Sequence, residues 1–285
     1  MLGPMIRRAA CIRLPAFPAF PAFVSLVCCR LCASDPIPVD QRDYPDSANG
    51  CAPATTLNLL RFGGESYAPA LNGLIGSTDG VKMRFLVDRY FRHRPSSIDP
   101  SRMRWGVHGL DCRDLAFGVN ELLADHHLAP LAAAFLELEP EEKEPDHLAR
   151  VLGLIHRSLD AGTPPILNLR TFLVKSREEN GGKPEWETGV SHYVLVTGIR
   201  GEPSDTGGEL EVIDPWQGRR AEIYLHREPN GRSFRALKGS EAAGKWLDGR
   251  PFLQVLAPGV PTMRPANLEW HERYLVIAHH LIGRF

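Results

Sequence analysis

The spacing of apolar residues changes partway along the chain. Between Cys51 and Leu159 they fall at helical intervals; beyond Pro165 they alternate or run in short blocks rich in β-formers. Cys51 to Phe62 reads as a helix on Leu57, Leu59 and Leu60, stopped by Gly63-Gly64. Val81 to Phe91 and Asp111 to Ala124 read as two further amphipathic helices, the second with Leu115, Val119, Leu122 and Leu123 on one face. An acidic loop, 137–145, precedes a helix over His147 to Leu159, which Gly162 and Pro164-Pro165 end. Strands are expected over Ile166 to Phe172, His192 to Ile199, Leu210 to Asp214, Ala221 to Leu225 and Pro251 to Leu256. Tyr274 to Ile282 fits either strand or helix, and 175–189 reads as a polar loop.

Helices first and strands second imply an α+β fold, with an N-terminal helical half packed against a C-terminal antiparallel β-sheet. The first 34 residues stand apart. They carry four arginines and no acid, with a short apolar run at Ala22 to Cys29 and a small-x-small string at Cys32-Ala33-Ser34. This is the layout of an export signal, so 1–34 is expected to be a leader and 35–285 one domain. The protein is then exported, periplasmic or secreted; if translation starts near Asp35 instead, it is cytoplasmic. No stretch after the leader is long and apolar enough for a membrane-spanning helix.

Composition narrows the class. A chain of 285 residues with 43% hydrophobic content can bury its own core without metal or disulfide staples. The net charge is −1 and all acids lie beyond residue 34, so no basic stripe marks a nucleic-acid partner. Four of the six cysteines, Cys11, Cys28, Cys29 and Cys32, lie in the leader. Cys51 and Cys112 remain, which is not a disulfide framework, though one bridge between them would compete with a reactive Cys51. No HExxH string occurs, the one CxxC string (Cys29 to Cys32) lies in the leader, and no cofactor is expected. His126-His127 and His279-His280 are adjacent pairs whose side chains should point different ways, a poor ligand geometry.

Candidate chemistry centres on Asn49-Gly50-Cys51-Ala52-Pro53. Asn49 or Gly50 suits an N-cap and Pro53 a first helical turn, which places Cys51 at the positive end of a helix dipole. A free thiol ionises near pH ~8.5, and a helix N-terminus with a neighbouring imidazolium lowers that by one to several units. The same backbone donors can hold an oxyanion. The plain alternative is a small buried cysteine. His192 begins the string HYVLVTG, and Leu210 to Asp214 reads as the return strand of a hairpin centred near residue 204. Position 192 then faces about 216, so a bulge or small register change would bring Asp214 to the imidazole, where a carboxylate fixes the tautomer. Asp214 also suits a turn cap. Trp186, Trp216, Trp246 and Trp270 are candidates either for a cleft lining or for core packing.

Val39-Asp40-Gln41, Asn49-Gly50-Cys51-Ala52-Pro53-Ala54, His192-Tyr193-Val194-Leu195-Val196-Thr197-Gly198 and Ile213-Asp214-Pro215-Trp216 together resemble papain-like peptidases of the bacteriocin-leader (double-glycine) type, in the family's order. The resemblance covers roughly residues 37–218. It implies a papain-like fold and a Cys51–His192–Asp214 triad, with Gln41 as oxyanion donor and a peptide or protein as substrate. Gln41 stands farther upstream of the cysteine than in the family, and Ala52 replaces a usual glycine. No GxxxxGK[ST] loop is present, so the family's transporter-linked ATPase parts are not expected. The function expected is a cysteine-dependent hydrolase acting on a peptide or amide carbonyl. A non-catalytic peptide-binding module and a transglutaminase-like thiol acyltransferase are the alternatives.

Overall fold

Ten consecutive residues of the first long helix, from Cys51 to Leu60, are buried, so this helix runs through a core on every side. The computed structural model describes residues 35–107, 109–176, 184–227, 234–235, 251–265 and 273–285. The leader expected over 1–34 lies outside these residues. Pro36–Phe285 forms one compact unit.

Five α-helices occur among the described residues: α1 (Cys51–Phe62), α2 (Ala68–Gly73), α3 (Asp79–Leu86), α4 (Cys112–Asp125) and α5 (Glu144–Asp160). Two buried polar side chains of α1 make hydrogen bonds. Thr56 Oγ1 donates to Ala52 O at 2.9 Å, and Asn58 Oδ1 accepts from Val39 N at 2.8 Å. Asp111 caps α4 by accepting from Arg113 N at 2.9 Å. The helix expected over Val81 to Phe91 is divided: α3 passes at Val87 into a π-helical stretch, Val87–Arg92. Between it and α4 lies a small hairpin, β1 (Trp105–Gly106) and β2 (Gly109–Leu110).

After β3 (Ala132–Phe135) and α5, the strands are β4 (Ile166–Ser176), β5 (Pro184–Arg200), β6 (Gly207–Asp214), β7 (Arg219–His226), β8 (Phe234–Arg235), β9 (Pro251–Phe252), β10 (Gln254–Leu256) and β11 (Arg273–Gly283). Strands β4, β5, β6, β7, β10 and β11 pair in that order, all antiparallel, and β11 returns to β4. The sheet therefore closes into a six-stranded barrel, with β3 added outside on β11. Closure runs through β10, where Gln254 is paired with both His226 of β7 and Ile277 of β11.

This corrects the expected architecture. The described residues form a sheet-rich closed barrel carrying five α-helices, not a papain-like helical half packed on an antiparallel sheet. The block expected as one strand, Pro251 to Leu256, is split between β9, which pairs with β8, and β10, which completes the barrel. Three residues make the difference between an open sheet and a closed one, and no periodicity can register in so short a segment.

Both faces of the barrel wall between β4 and β6 are covered. Leu167, Leu169, Val194, Val196, Leu210 and Val212 join an inner cluster to which all six barrel strands contribute. Leu148, Val151, Leu152 and Ile155 of α5, at helical spacing, complete it. Ile166, Tyr193, Leu195 and Ile213 point the other way, into a second cluster built around α1, α3 and α4. Burial on both faces explains the near-continuous apolar runs in these strands. Among the described residues no helix is long and apolar enough to cross a membrane.

Candidate functional site

Cys51 occupies the first position of α1, and Gly50 before it is the N-cap. A Cβ on Gly50 would meet the backbone oxygen of Gln41 at 2.8 Å, so only glycine lets the chain turn into the helix here. One turn further on, Thr55 Oγ1 donates to Tyr193 O at 3.1 Å. That bond ties the start of α1 to the β5 residue next to His192. Cys51 is 8% exposed.

His192 lies in the middle of β5 rather than at its start, because the strand begins at Pro184. Its approach to Asp214 depends on a β-bulge. Near the hairpin end Ile199 pairs with Leu210; carried along the strand, that register would set position 192 against 217 and turn Asp214 to the opposite face. The irregularity between Val196 and Gly198 shifts the pairing by one, so Leu195 meets Ile213 and position 192 faces 216. Asp214 then becomes the diagonal neighbour of His192 on the same face, within side-chain reach. His192 Nε2 donates to Asp214 Oδ1 at 2.8 Å. A carboxylate only accepts, so Nε2 carries the proton and Nδ1 is left for Cys51, the other hydrogen-bonding partner of the ring.

Asp214 is completely buried. Its Oδ1 also accepts from Trp216 N at 2.9 Å, and Arg219 Nε lies 3.6 Å from Oδ2. The expected turn-cap role and the bond to histidine therefore coexist on one oxygen. Burial on its own would push the His192 imidazolium toward deprotonation. The hydrogen bonds to Asp214 and then Cys51, with the charges of both, outweigh it and raise the pKa from 6.5 to about 9.

Gln41 is brought to the same region despite its distance in sequence. Two 3-10 turns, Gln41–Asp43 and Ser47–Asn49, fold the intervening chain back on itself. Gln41 N donates to Pro215 O at 2.8 Å, docking the segment onto the turn that follows Asp214. Its amide Nε2 donates to Ser47 O at 2.8 Å, while Oε1 is buried without a hydrogen bond.

Cys51 opens onto a cleft of about 810 Å³. One wall is the β1–β2 hairpin with Gly106, Val107 and Gly109; the other is β5 with Thr188, Gly189 and Ser191. Arg102, Asp111, Arg170 and Tyr193 also face it. Sequence reasoning overlooked Arg170 and Tyr193. A visible signal existed for Arg170: it is the one charged residue in the apolar block Ile166 to Phe172. Part of the polar loop expected over 175–189 belongs to β5, which supplies the cleft wall at Thr188 and Gly189.

Cys51 and Cys112 are both free thiols. Cys112 is buried at the start of α4, and burial, reinforced by the Asp111 carboxylate, pushes its thiol pKa well up. The adjacent pair His279-His280 departs from expectation. A bulge between Ala278 and His280 brings the two rings together, with Nδ1 atoms 2.7 Å apart, and His279 Nδ1 lies 3.1 Å from Asn168 Oδ1. Asn168 Nδ2 in turn donates to Ser191 Oγ at 3.0 Å. Trp216 sits at the Asp214 turn and not in the cleft, while Trp246 and Trp270 lie outside the described residues. Comparison with protein-family models, curated proteins and solved structures gave no match.

Proposed function

We propose that this protein is a cysteine-dependent hydrolase that attacks a peptide or amide carbonyl, with Cys51 as nucleophile, His192 as base and Asp214 as the group that orients the ring. The observation that carries the reading is the placement of His192 between Asp214 Oδ1 at 2.8 Å and Cys51, which itself opens a helix and borders a cleft. Cys51 Sγ gives its proton to His192 Nδ1 and bonds to the carbonyl carbon, while the N-terminal donors of α1 receive the developing oxyanion. The imidazolium then protonates the leaving amine as the C–N bond breaks. Water, deprotonated at Nδ1, releases the acyl group from sulfur. Asp214 keeps the Nε2 proton in place throughout.

Gln41 is the proposed further oxyanion donor. With one N–H on Ser47 O, it has a single remaining donor for that role. The same engagement favours a second reading, in which the cleft holds a peptide without cutting it. Incubating intact protein with a degenerate peptide library, beside Cys51→Ala and His192→Ala, decides between them. Cleavage products that vanish in both variants fit a hydrolase. Peptide retention that survives Cys51→Ala, with no cleavage by the parent, fits the binding module. A conjugate formed on adding a primary amine would indicate acyl transfer.

A further inference from the structure

We propose that Ser191 is a substrate-binding residue, its hydroxyl held as a hydrogen-bond donor turned into the cleft, where it takes a peptide carbonyl flanking the one that Cys51 attacks. The inference rests on the catalytic reading of Cys51 and deepens it by naming a contact that selects peptides over small amides.

Ser191 is exposed, precedes His192 in β5 and lines the cleft with Cys51. Behind it lies a chain of buried polar side chains. Asn168, 1% exposed, stands on β4 opposite Tyr193. Its Nδ2 lies 3.0 Å from Ser191 Oγ and 3.3 Å from His192 O. A main-chain oxygen only accepts, so the amide nitrogen, and not the amide oxygen, is turned to that side. The amide oxygen then faces His279 Nδ1 at 3.1 Å, so that nitrogen carries a proton and donates. His280 Nδ1, 2.7 Å from His279 Nδ1, is left with the accepting role. Asn168 is thus held at both ends of its amide and cannot flip. The consequence falls on Ser191. Its Oγ receives an N–H from Asn168, so its own O–H cannot lie along that line and is turned toward the cleft. The donor is set before a substrate arrives, which reduces the ordering cost of binding. Successive side chains leave opposite faces of a strand, so the Ser191 hydroxyl lies off the face that carries His192. It therefore addresses a group beside the reacting carbonyl. An extended peptide has a carbonyl at every residue to offer there, and a small amide has only the one that reacts.

The test compares two neutral reagents at Cys51 of the full chain, with peptide mapping by mass spectrometry. N-acetyl-dialanine chloromethyl ketone carries flanking carbonyls; chloroacetone carries only the reacting one. Ser191→Ala should lower the rate ratio of the peptide reagent to chloroacetone by about five-fold, the size of one neutral hydrogen bond. Ser191→Thr keeps a hydroxyl and should keep the ratio. Asn168→Asp sets an acceptor where Nδ2 stood, turns the Ser191 proton inward and should lower the ratio as Ser191→Ala does. Ser191 is exposed, so its variants report even where Asn168→Asp does not fold. Dividing by the chloroacetone rate removes any general change in thiol reactivity, so a merely structural disturbance leaves the ratio in place. An unchanged ratio in Ser191→Ala, or an equal loss in Ser191→Thr, overturns the role of Ser191 and leaves the triad standing. A Cys51 that reacts with neither reagent overturns the catalytic reading and this inference with it.

Discussion

Replacing Asp214 by Asn removes the charge that holds the His192 proton while keeping the size of the side chain. In the native protein His192 titrates at about 9, against 6.5 for an unperturbed imidazole. Below pH 6.5 both folded and unfolded chains hold the proton, and its preference for the folded site contributes fully to stability. As pH rises from 6.5 through 9 the unfolded chain loses the proton first, and the contribution fades until both forms are neutral. The separation corresponds to about 3 kcal/mol. In Asp214→Asn burial, which disfavours the charged ring, is opposed by Cys51 alone, so much of the stabilisation and of its loss across this window should disappear. Urea denaturation at intervals from pH 6 to 10 reads this directly. The difference in unfolding free energy between parent and variant should shrink by up to about 3 kcal/mol from the acid end to the alkaline end. Parallel curves would refute the claim that Asp214 holds a protonated His192.

Other consequences follow from named contacts. Thr55→Val deletes the hydroxyl that bonds Tyr193 O while preserving shape, and should lower stability by about 1–2 kcal/mol in chemical denaturation; hydrolysis should fall with it, since this bond ties α1 to β5. Gly50→Ala drives a Cβ to within 2.8 Å of a backbone oxygen that cannot swing aside, so a loss of about 1–3 kcal/mol and slower Cys51 alkylation are expected. Cys112→Ala should leave turnover close to that of the parent protein, and Cys112 should stay unlabelled at pH 8 in folded protein, because burial keeps it a thiol; rapid labelling of Cys112 would contradict that burial.

Helices α1 and α4 were legible because their signals are local. Gly63 stops α1 after Phe62, and α4, capped by Asp111, begins one residue after the pattern places its start. The triad residues were legible as candidates for the same reason: a cysteine at a glycine-capped helix start, a histidine in a β-rich run, and an aspartate before proline. What joins His192 to Asp214 was only half legible. The hairpin centre near residue 204 could be counted from its turn, but the bulge at Val196 and Gly198 that turns both side chains to one face leaves no mark beyond a glycine. A second bulge, at Ala278 and His280, made the adjacent histidines look divergent when their rings touch. Barrel closure was illegible because it depends on Gln254 pairing to two strands at once, a long-range contact made by a three-residue segment. Arg170 could have been found by asking why one charge interrupts an apolar strand.

The most direct test of the catalytic account is the rate of iodoacetamide labelling at Cys51 near pH 6, in the parent protein and in His192→Ala. The account predicts rapid modification of Cys51 in the parent, where a protonated His192 stands beside the sulfur, and labelling slowed by at least ten-fold in the variant. Equal, slow labelling in both proteins would contradict an activated thiol and remove the basis for a hydrolase.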